Sequence, residues 1–125
     1  NSGGSISMTT SSYSVDRYRC YAAVTSKMTV QQNAGSVTPP VGFTNYMGFT
    51  TSSGYSPLST ERFITYQGIE GYNVADLQWG TANAKTITIS FWVYSSLTGA
   101  FGGSLRNSAE NYWYPLSIGA LRYVL

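Results

Sequence analysis

Apolar and polar side chains alternate most regularly in the segment 86–94 (TITISFWVY). One register holds Ile87, Ile89, Phe91 and Val93, and the other holds hydroxyl side chains together with Trp92 and Tyr94. Successive side chains of a strand point to opposite faces, so this pattern predicts a strand with one core face. The opposite face mixes hydroxyls with large aromatic rings. Such a face can contact water, a second subunit or a ligand.

Weaker alternation predicts further short strands on both sides of this segment. The run 13–24 (YSVDRYRCYAAV) places Tyr18, Cys20, Ala22 and Val24 in one register, and residues 27–32 are expected to pair with it as a hairpin. Other extended segments are predicted at residues 43–51, 61–69, 104–108 and 112–118. Turn regions rich in Gly, Pro and Asn separate them, including a loop with the paired prolines Pro39 and Pro40. Roughly seven short strands of this kind predict an all-β fold, an antiparallel β-sandwich of jelly-roll type.

The length of 125 residues is sufficient for one domain with a buried core. Residues 1–12 (NSGGSISMTTSS) are small and hydroxylic and are expected to form a flexible N-terminal linker. Residues 13–125 are expected to form a single β-sandwich domain. No stretch approaches the ~20 apolar residues of a membrane-spanning helix, so no membrane insertion is predicted.

Composition excludes several kinds of chemistry. Seven basic and five acidic side chains give a net charge of +2, which is too weak to predict a nucleic-acid or membrane-surface partner. The chain has no His, so it cannot assemble a Ser-His-Asp or Cys-His site or bind zinc through imidazole. Its single cysteine, Cys20, is predicted to be a small buried hydrophobe rather than a nucleophile. We therefore predict no catalytic residue, no metal site and no cofactor.

Carboxylates provide the remaining route to catalysis, because two of them can cleave a glycoside. The candidates are Asp16, Glu61, Glu70, Asp76 and Glu110. We expect these residues to occupy turns and the surface, with Asp76 at the start of a short turn. A structural calcium held by Asp76 and Glu70 is an alternative, although the sequence contains no EF-hand loop.

Aromatic residues are the more informative set, since 19 of the 125 residues are Tyr, Phe or Trp. Sugars stack their C–H faces on flat rings while their hydroxyls bond to Asn, Gln and Ser. The candidate glycan-binding residues near predicted turns are Tyr72, Trp79, Asn83, Tyr112 and Trp113. Core filling and contact between subunits also explain such rings, and for any single ring this structural role is favoured over ligand binding.

Three segments carry a resemblance to a known family. They are DRYRCYAAVTSKMTVQQNAGSVTPPVGFTNYMGFT, YQGIEGYNVADLQWGTANAKTITISFWVYSSLTGAFGGSL and RNSAENYWYP. Together they resemble bacteriophage tail-fibre and tail-spike-like virion proteins, over about residues 2–115. The resemblance implies a β-sandwich like those of carbohydrate-binding modules, on a chain that oligomerises. Family members continue past the YP segment with further strands, so here the sandwich is either incomplete or completed by another subunit.

The combined prediction is a non-catalytic virion protein, a tail-fibre or receptor-binding module that contacts host surface glycans. It is made in the bacterial host cytoplasm and located in the virion. The expected partners are further copies of the chain, with a trimer favoured, other virion proteins and host surface polysaccharide. One alternative is a capsid decoration or head-fibre protein that packs on other virion subunits. Another is a polysaccharide depolymerase, which needs two carboxylates about 5 to 9.5 Å apart in one groove.

Overall fold

The structure, a computed structural model, describes residues 3–118 of the chain. Its regular elements are eight strands and two short 3₁₀ helices. The strands are β1 (Ile6–Ser7), β2 (Ser12–Tyr13), β3 (Arg19–Ala22), β4 (Met28–Gln32), β5 (Met47–Thr51), β6 (Phe63–Tyr66), β7 (Phe101–Arg106) and β8 (Trp113–Ile118). The 3₁₀ helices are η1 (Ala34–Ser36) and η2 (Gly71–Leu77). All strand pairs in the described residues are antiparallel, and the predicted all-β class is confirmed.

The chain separates into two compact units. Unit 1 ends at Thr86 and contains β1 to β6 with both 3₁₀ helices, and unit 2 begins at Ile87 and contains β7 and β8. The sequence predicts one domain over residues 13–125, whereas the structure divides this range between the two units. The jelly-roll topology stays a prediction, because the described strands form three small sheets.

The two sheets of unit 1 share one apolar cluster. The first sheet has the order β1-β4-β5 and the second has the order β2-β3-β6. Val30 comes from the first sheet, Cys20 and Ala22 come from the second, and Met8 and Val15 come from the connections. Each of these five side chains is at most 7% exposed. Burial of this cluster stabilises both sheets together, since each large side chain removed from water contributes roughly 1.5 to 3 kcal/mol.

The sequence predicts that the N-terminal segment 1–12 is a flexible linker. The structure corrects this prediction for the described residues 3–12. Ile6 pairs with Val30 and Ser7 pairs with Thr29 across β1 and β4. The physical reason is that Ile6 and Met8 carry apolar side chains that the cluster of unit 1 can bury. Residues 6–8 are therefore an ordered part of unit 1.

The connection between β1 and β2 bonds to both sheets of unit 1. The Met8 N–H donates to the carbonyl of Met28 in the first sheet at 2.9 Å. The carbonyl of the next residue, Thr9, accepts from the Ala22 N–H in the second sheet at 3.0 Å. Two consecutive residues thus link the two sheets through main-chain hydrogen bonds.

The predicted strand 13–24 is interrupted by a turn. Asp16 has a φ of 53°, in the left-handed region, and the Ser14 N–H donates to the carbonyl of Tyr18 at 2.9 Å. A residue in the left-handed region cannot continue an extended strand, so the strand pattern breaks there. The predicted core register is confirmed at Cys20 and Ala22, which are both 0% exposed. The hairpin predicted with residues 27–32 is wrong, because β4 pairs with β1 and β5 instead.

The segment 86–94, predicted to be a strand with a core face, lies outside every described strand. Ile87, Ile89, Phe91 and Val93 are between 36% and 55% exposed. The alternation of the sequence is real, but a strand also needs a neighbour for its main-chain groups. Residues 86–93 form no hydrogen bond with another described residue, so the prediction of a buried central strand is corrected.

Candidate functional site

Trp79 lies in a loop of unit 1 that its own hydrogen bonds hold in place. The loop follows η2, and Gln78 has a left-handed φ of 51° where the helix ends. The Trp79 indole N–H donates to the carbonyl of Lys85 at 3.1 Å. The residue nevertheless stays 46% exposed. Its ring is therefore fixed in direction and open to solvent.

Asn83 belongs to the same loop. The Thr81 hydroxyl donates to the carbonyl of Gln78 at 2.7 Å and accepts from the Asn83 N–H at 3.2 Å. Asn83 is exposed, and its side-chain amide makes no hydrogen bond within residues 3–118. The structure thus brings Trp79 and Asn83 into one ordered loop, where a ring and a free amide are both presented to solvent.

Tyr72 is the third predicted residue of unit 1, and it lies on η2. It is 96% exposed, so almost none of its ring is covered. No described hydrogen bond or ring contact connects it with Trp79 or Asn83. Tyr72 is a free surface ring, without the fixed orientation that the Trp79 loop provides.

Tyr112 and Trp113 lie where the turn between β7 and β8 enters β8, in unit 2. Asn107 organises this turn. Its Oδ1 accepts from the N–H groups of Asn111 and Tyr112, each at 3.2 Å, and its Nδ2 donates to Asn111 Oδ1 at 2.6 Å. An Asn side chain that bonds to nearby main chain in this way is a common means of closing a turn. Tyr112 is left 75% exposed beside it.

Trp113 is held by two neighbouring groups, the carbonyl of Glu110 and the guanidinium of Arg106. Its indole N–H donates to the carbonyl of Glu110 at 2.9 Å. The guanidinium carbon of Arg106 lies 5.2 Å from the indole centroid, and Arg106 also forms an ion pair with the Glu110 carboxylate. The residue remains 51% exposed. Unit 2 therefore presents a second indole of fixed direction, in contact with a cation that is itself paired.

Three of the five candidate carboxylates, Glu61, Asp76 and Glu110, make structural contacts. Asp76 Oδ2 lies 3.9 Å from Lys85 Nζ, and both side chains are mostly exposed. Glu61 Oε2 accepts from the Tyr55 hydroxyl at 2.6 Å and from the Leu58 N–H at 2.8 Å. These two bonds to the charged form hold the pKa of the Glu61 carboxyl below its ordinary value. The bond to the carboxylate in turn raises the pKa of the Tyr55 phenol.

The part of the chain that the structure describes contains no group of three or more Cys, Asp or Glu side chains placed to hold a metal ion. Among the same residues, no helix has the length and apolar character needed to span a bilayer.

A groove in unit 1 was not anticipated from the sequence. It has a volume of about 460 Å³ and lies beside the turn that precedes β3. Its lining includes Val15, Asp16, Tyr18, Gln32, Asn45 and Tyr46. Asp16 is exposed, and its carboxylate makes no hydrogen bond or ion pair within the described residues. A carboxylate, two amides and two phenol rings are groups that sugar hydroxyls and C–H faces bind.

Tyr46 lies in the wall of this groove and is held there by hydrogen bonds. Its hydroxyl donates to the carbonyl of Ala34 at 2.6 Å and accepts from the Val37 N–H at 2.8 Å. Asn33 adds two more bonds, because its Oδ1 accepts from the Tyr46 N–H at 3.0 Å and its Nδ2 donates to Asn45 Oδ1 at 2.9 Å. The only sequence signal for this wall is the NY pair at 45–46 after a Pro- and Gly-containing loop. The turn at Asp16, which also lines the groove, has no recognisable signal in the sequence.

Comparison with known proteins gives no match: no family model, no curated protein and no solved structure matches this chain. The resemblance to phage virion proteins therefore depends on the three quoted segments and stays a prediction.

Proposed function

We propose that this protein is a non-catalytic structural module of a bacteriophage virion, a tail-fibre or receptor-binding part that contacts host surface glycans. The observation that supports this proposal is the pair of exposed indoles, Trp79 and Trp113. Each donates its N–H to a main-chain carbonyl within its own loop and leaves about half of its surface open. The resemblance of the three sequence segments to tail-fibre proteins supplies the biological setting.

A fixed and exposed ring is suited to sugar binding for an energetic reason. Immobilising a side chain on binding costs roughly 0.5 to 1.5 kcal/mol, and a ring that is already held does not incur this cost. The remaining attraction comes from C–H contacts with the ring face and from nearby amides such as Asn83 and Asn111. Single contacts of this kind are weak, and several copies on one particle increase the overall affinity through avidity.

The proposal is tested by measuring binding of the purified protein to host cells and to extracted envelope polysaccharide. Trp79→Ala and Trp113→Ala are each expected to weaken saturable binding about tenfold, which corresponds to ~1.4 kcal/mol. Phe43→Ala is the matched control, since Phe43 is 54% exposed but is not part of either loop. Circular dichroism shows whether each variant is folded. Unchanged binding by both folded Trp variants would contradict the indole proposal.

The same binding assay also tests whether the groove of unit 1 is the glycan site. Asp16→Asn removes its free carboxylate and keeps the side-chain shape. If this variant loses binding while the two Trp variants retain it, the glycan site is the groove rather than the indoles. If none of the three variants changes a measurable affinity, neither surface is the glycan site.

A second candidate function, decoration of the capsid, is favoured by one observation. Most of the large apolar side chains of the segment 87–97 are exposed. Contiguous apolar surfaces of this kind contact other proteins. Absence of any glycan binding together with saturable binding to purified virions that lack this protein would support decoration.

A further inference from the structure

The second sheet of unit 1 has an outer face that carries arginine and tyrosine side chains. In β3, Cys20 and Ala22 point into the apolar cluster, so Arg19 and Tyr21 point to the opposite side. The pairing of β3 with β2 and β6 places the outward residues of those strands beside them. This arginine–tyrosine face consists of Tyr13, Arg19, Tyr21, Arg62, Ile64 and Tyr66.

Arg19 lies between two phenol rings of the arginine–tyrosine face. Its guanidinium carbon is 5.2 Å from the Tyr13 centroid and 5.8 Å from the Tyr66 centroid. Its Nη2 donates to the Ser11 hydroxyl at 2.6 Å, whereas its Nε makes no hydrogen bond within the described residues. The rings and the hydroxyl fix the direction of the guanidinium, although a guanidinium has further N–H groups to donate.

Arg62 adds a second guanidinium to the face. Its guanidinium carbon is 5.5 Å from the Tyr21 centroid. Arg62 is exposed, and its side chain makes no hydrogen bond or ion pair within residues 3–118. Arg19 and Tyr21 are two residues apart on β3, so the two cations lie over neighbouring rows of the sheet, whose spacing is roughly 7 Å.

No acidic side chain pairs with either cation within the described residues. Glu61 precedes Arg62 in the chain, but its carboxylate accepts from the Tyr55 hydroxyl and the Leu58 N–H. Asp16, in the turn before β3, forms no ion pair. The face therefore presents two positive charges among phenol rings, and an anionic group is its complementary ligand.

We propose that the arginine–tyrosine face binds an acidic polysaccharide through the carboxylates of its uronate sugars. A planar guanidinium donates two parallel N–H bonds to a carboxylate, a geometry that an ammonium group does not provide. The phenols of Tyr13 and Tyr21 lie beside the two cations and offer hydroxyls and ring edges to the sugar. A sugar chain that repeats its carboxylates engages both arginines at once, which increases the overall affinity.

Single-stranded nucleic acid is the other polyanion that binds arginine and aromatic side chains. Its bases stack on open ring faces, whereas Tyr13 and Tyr21 each carry a guanidinium over one face. Its affinity also depends on many phosphate contacts, and this face supplies two cations on a chain with a net charge of +2. A sugar chain with fewer charges and many hydroxyls is the better match.

The choice of a glycan as the carrier of the carboxylates rests on the proposed function. The face itself contains neither Trp79 nor Trp113. Binding of a defined uronate and binding to host cells are therefore measured separately, and the two proposals fail separately.

Titration calorimetry of the full chain with a purified galacturonic acid oligomer tests the site. Arg62→Gln removes one exposed cation and is expected to weaken binding about tenfold, as loss of a charged hydrogen bond does. Arg62→Lys keeps the charge without the two parallel donors, so an intermediate loss is expected. Lys27→Gln is the matched control, because Lys27 lies 5.2 Å from the Tyr55 centroid but precedes β4 of the first sheet. Its affinity is expected to equal that of the wild type, and circular dichroism checks the folding of each variant.

The methyl ester of the same oligomer is the matched ligand, since it keeps the sugars and removes their charge. Equal binding of acid and ester, or no binding of the acid by the folded wild type, would overturn the proposal. An unchanged affinity in Arg62→Gln, or an equal loss in Lys27→Gln, would do the same. Tighter binding of a single-stranded oligonucleotide that depends on Arg62 would assign the face to nucleic acid and also overturn it.

The host-cell assay of the Trp variants separates this site from the proposed function. Uronate binding that depends on Arg62, without any binding to host cells, would support the face and contradict the proposed function. Host-cell binding that depends on Trp79 or Trp113, without any uronate binding, would overturn the face alone.

Discussion

Arg106 lies directly opposite Trp113 in the antiparallel register of β7 and β8, with its guanidinium carbon 5.2 Å from the indole centroid. The same guanidinium forms an ion pair with Glu110, whose carbonyl accepts the indole N–H. One arginine therefore connects the strand, the turn and the exposed ring. Its side chain is 31% exposed, so water only partly screens these contacts.

The first prediction concerns this arginine. Arg106→Leu keeps aliphatic cover over the indole but removes the cation and its ion pair, and we expect a loss of about 0.5 to 1 kcal/mol in unfolding free energy. Urea denaturation followed by Trp fluorescence measures this change. Arg17→Leu is the matched control, because exposed Arg17 makes no ion pair or ring contact within the described residues. Equal stability of the two variants would show that the Arg106 contacts contribute nothing.

The second prediction concerns the close approach of β5 to η1. A Cβ added at Gly48 would lie 2.6 Å from the Ala34 Cβ and 3.3 Å from two Ala34 backbone atoms. Gly48→Ala is therefore expected to destabilise the protein by about 1 to 3 kcal/mol, as overpacking does. The measurement is the midpoint of chemical denaturation.

Two matched variants separate a clash from a general effect of replacing glycine. Gly54→Ala has no atom within 4 Å of the added Cβ, so we expect almost no loss of stability. The double change Gly48→Ala with Ala34→Gly removes the partner methyl and is expected to recover part of the loss. A destabilised Gly54→Ala or an unaffected Gly48→Ala would contradict the steric explanation.

The third prediction follows from the hydrogen bond between Tyr55 and Glu61. The pKa of Glu61 is lowered in the folded protein, so its stabilising contribution is present above its unfolded pKa of about 4.3 and is lost as pH falls through the lower folded value. The pKa of Tyr55 is raised, so its contribution is present below about pH 10 and is lost as pH rises through the higher folded value. Both losses involve the same hydrogen bond.

Glu61→Gln tests this pair by ultraviolet titration of the phenols. Removing the carboxylate is expected to bring the pKa of Tyr55 down towards its ordinary range, which shifts the titration of one tyrosine to lower pH. Stability should also become less dependent on pH on the acid side. Glu70→Gln serves as the control, because Glu70 makes no described contact with a tyrosine. Identical phenol titrations of the two variants would refute the coupling.

The sequence predicted the features of this fold that depend on local composition. Branched and aromatic side chains with few charges predicted the all-β class, and the aromatic run at 112–118 predicted β8 (Trp113–Ile118). The register of Cys20 and Ala22 was also correct, because an apolar residue at every second position has only one way to face a core. These inferences use information within a few residues.

The features that the sequence did not predict depend on distant partners. The alternation of 86–94 is the clearest in the chain, yet it does not reveal whether another strand is present to pair with it. Ile6 and Met8 looked like isolated apolar residues in a hydroxylic segment until β4 supplied their neighbours. The groove at Asp16 and Tyr46 depends on a left-handed residue and a loop brought together from separate parts of the chain. The structure gives the positions and the exposure of the predicted glycan-binding residues. Their role in glycan binding stays a prediction.

The double link at Met8 and Thr9 has a mechanical consequence. A tether attached to the N-terminus pulls first on β1, which is held by two residue pairs and by the Gln31 side-chain bond to the carbonyl of Gly3. Behind β1, the same load reaches Met28 through Met8 and Ala22 through Thr9. Tension that enters at one end of the chain is therefore divided between both sheets of unit 1 before the turn at Asp16 is strained.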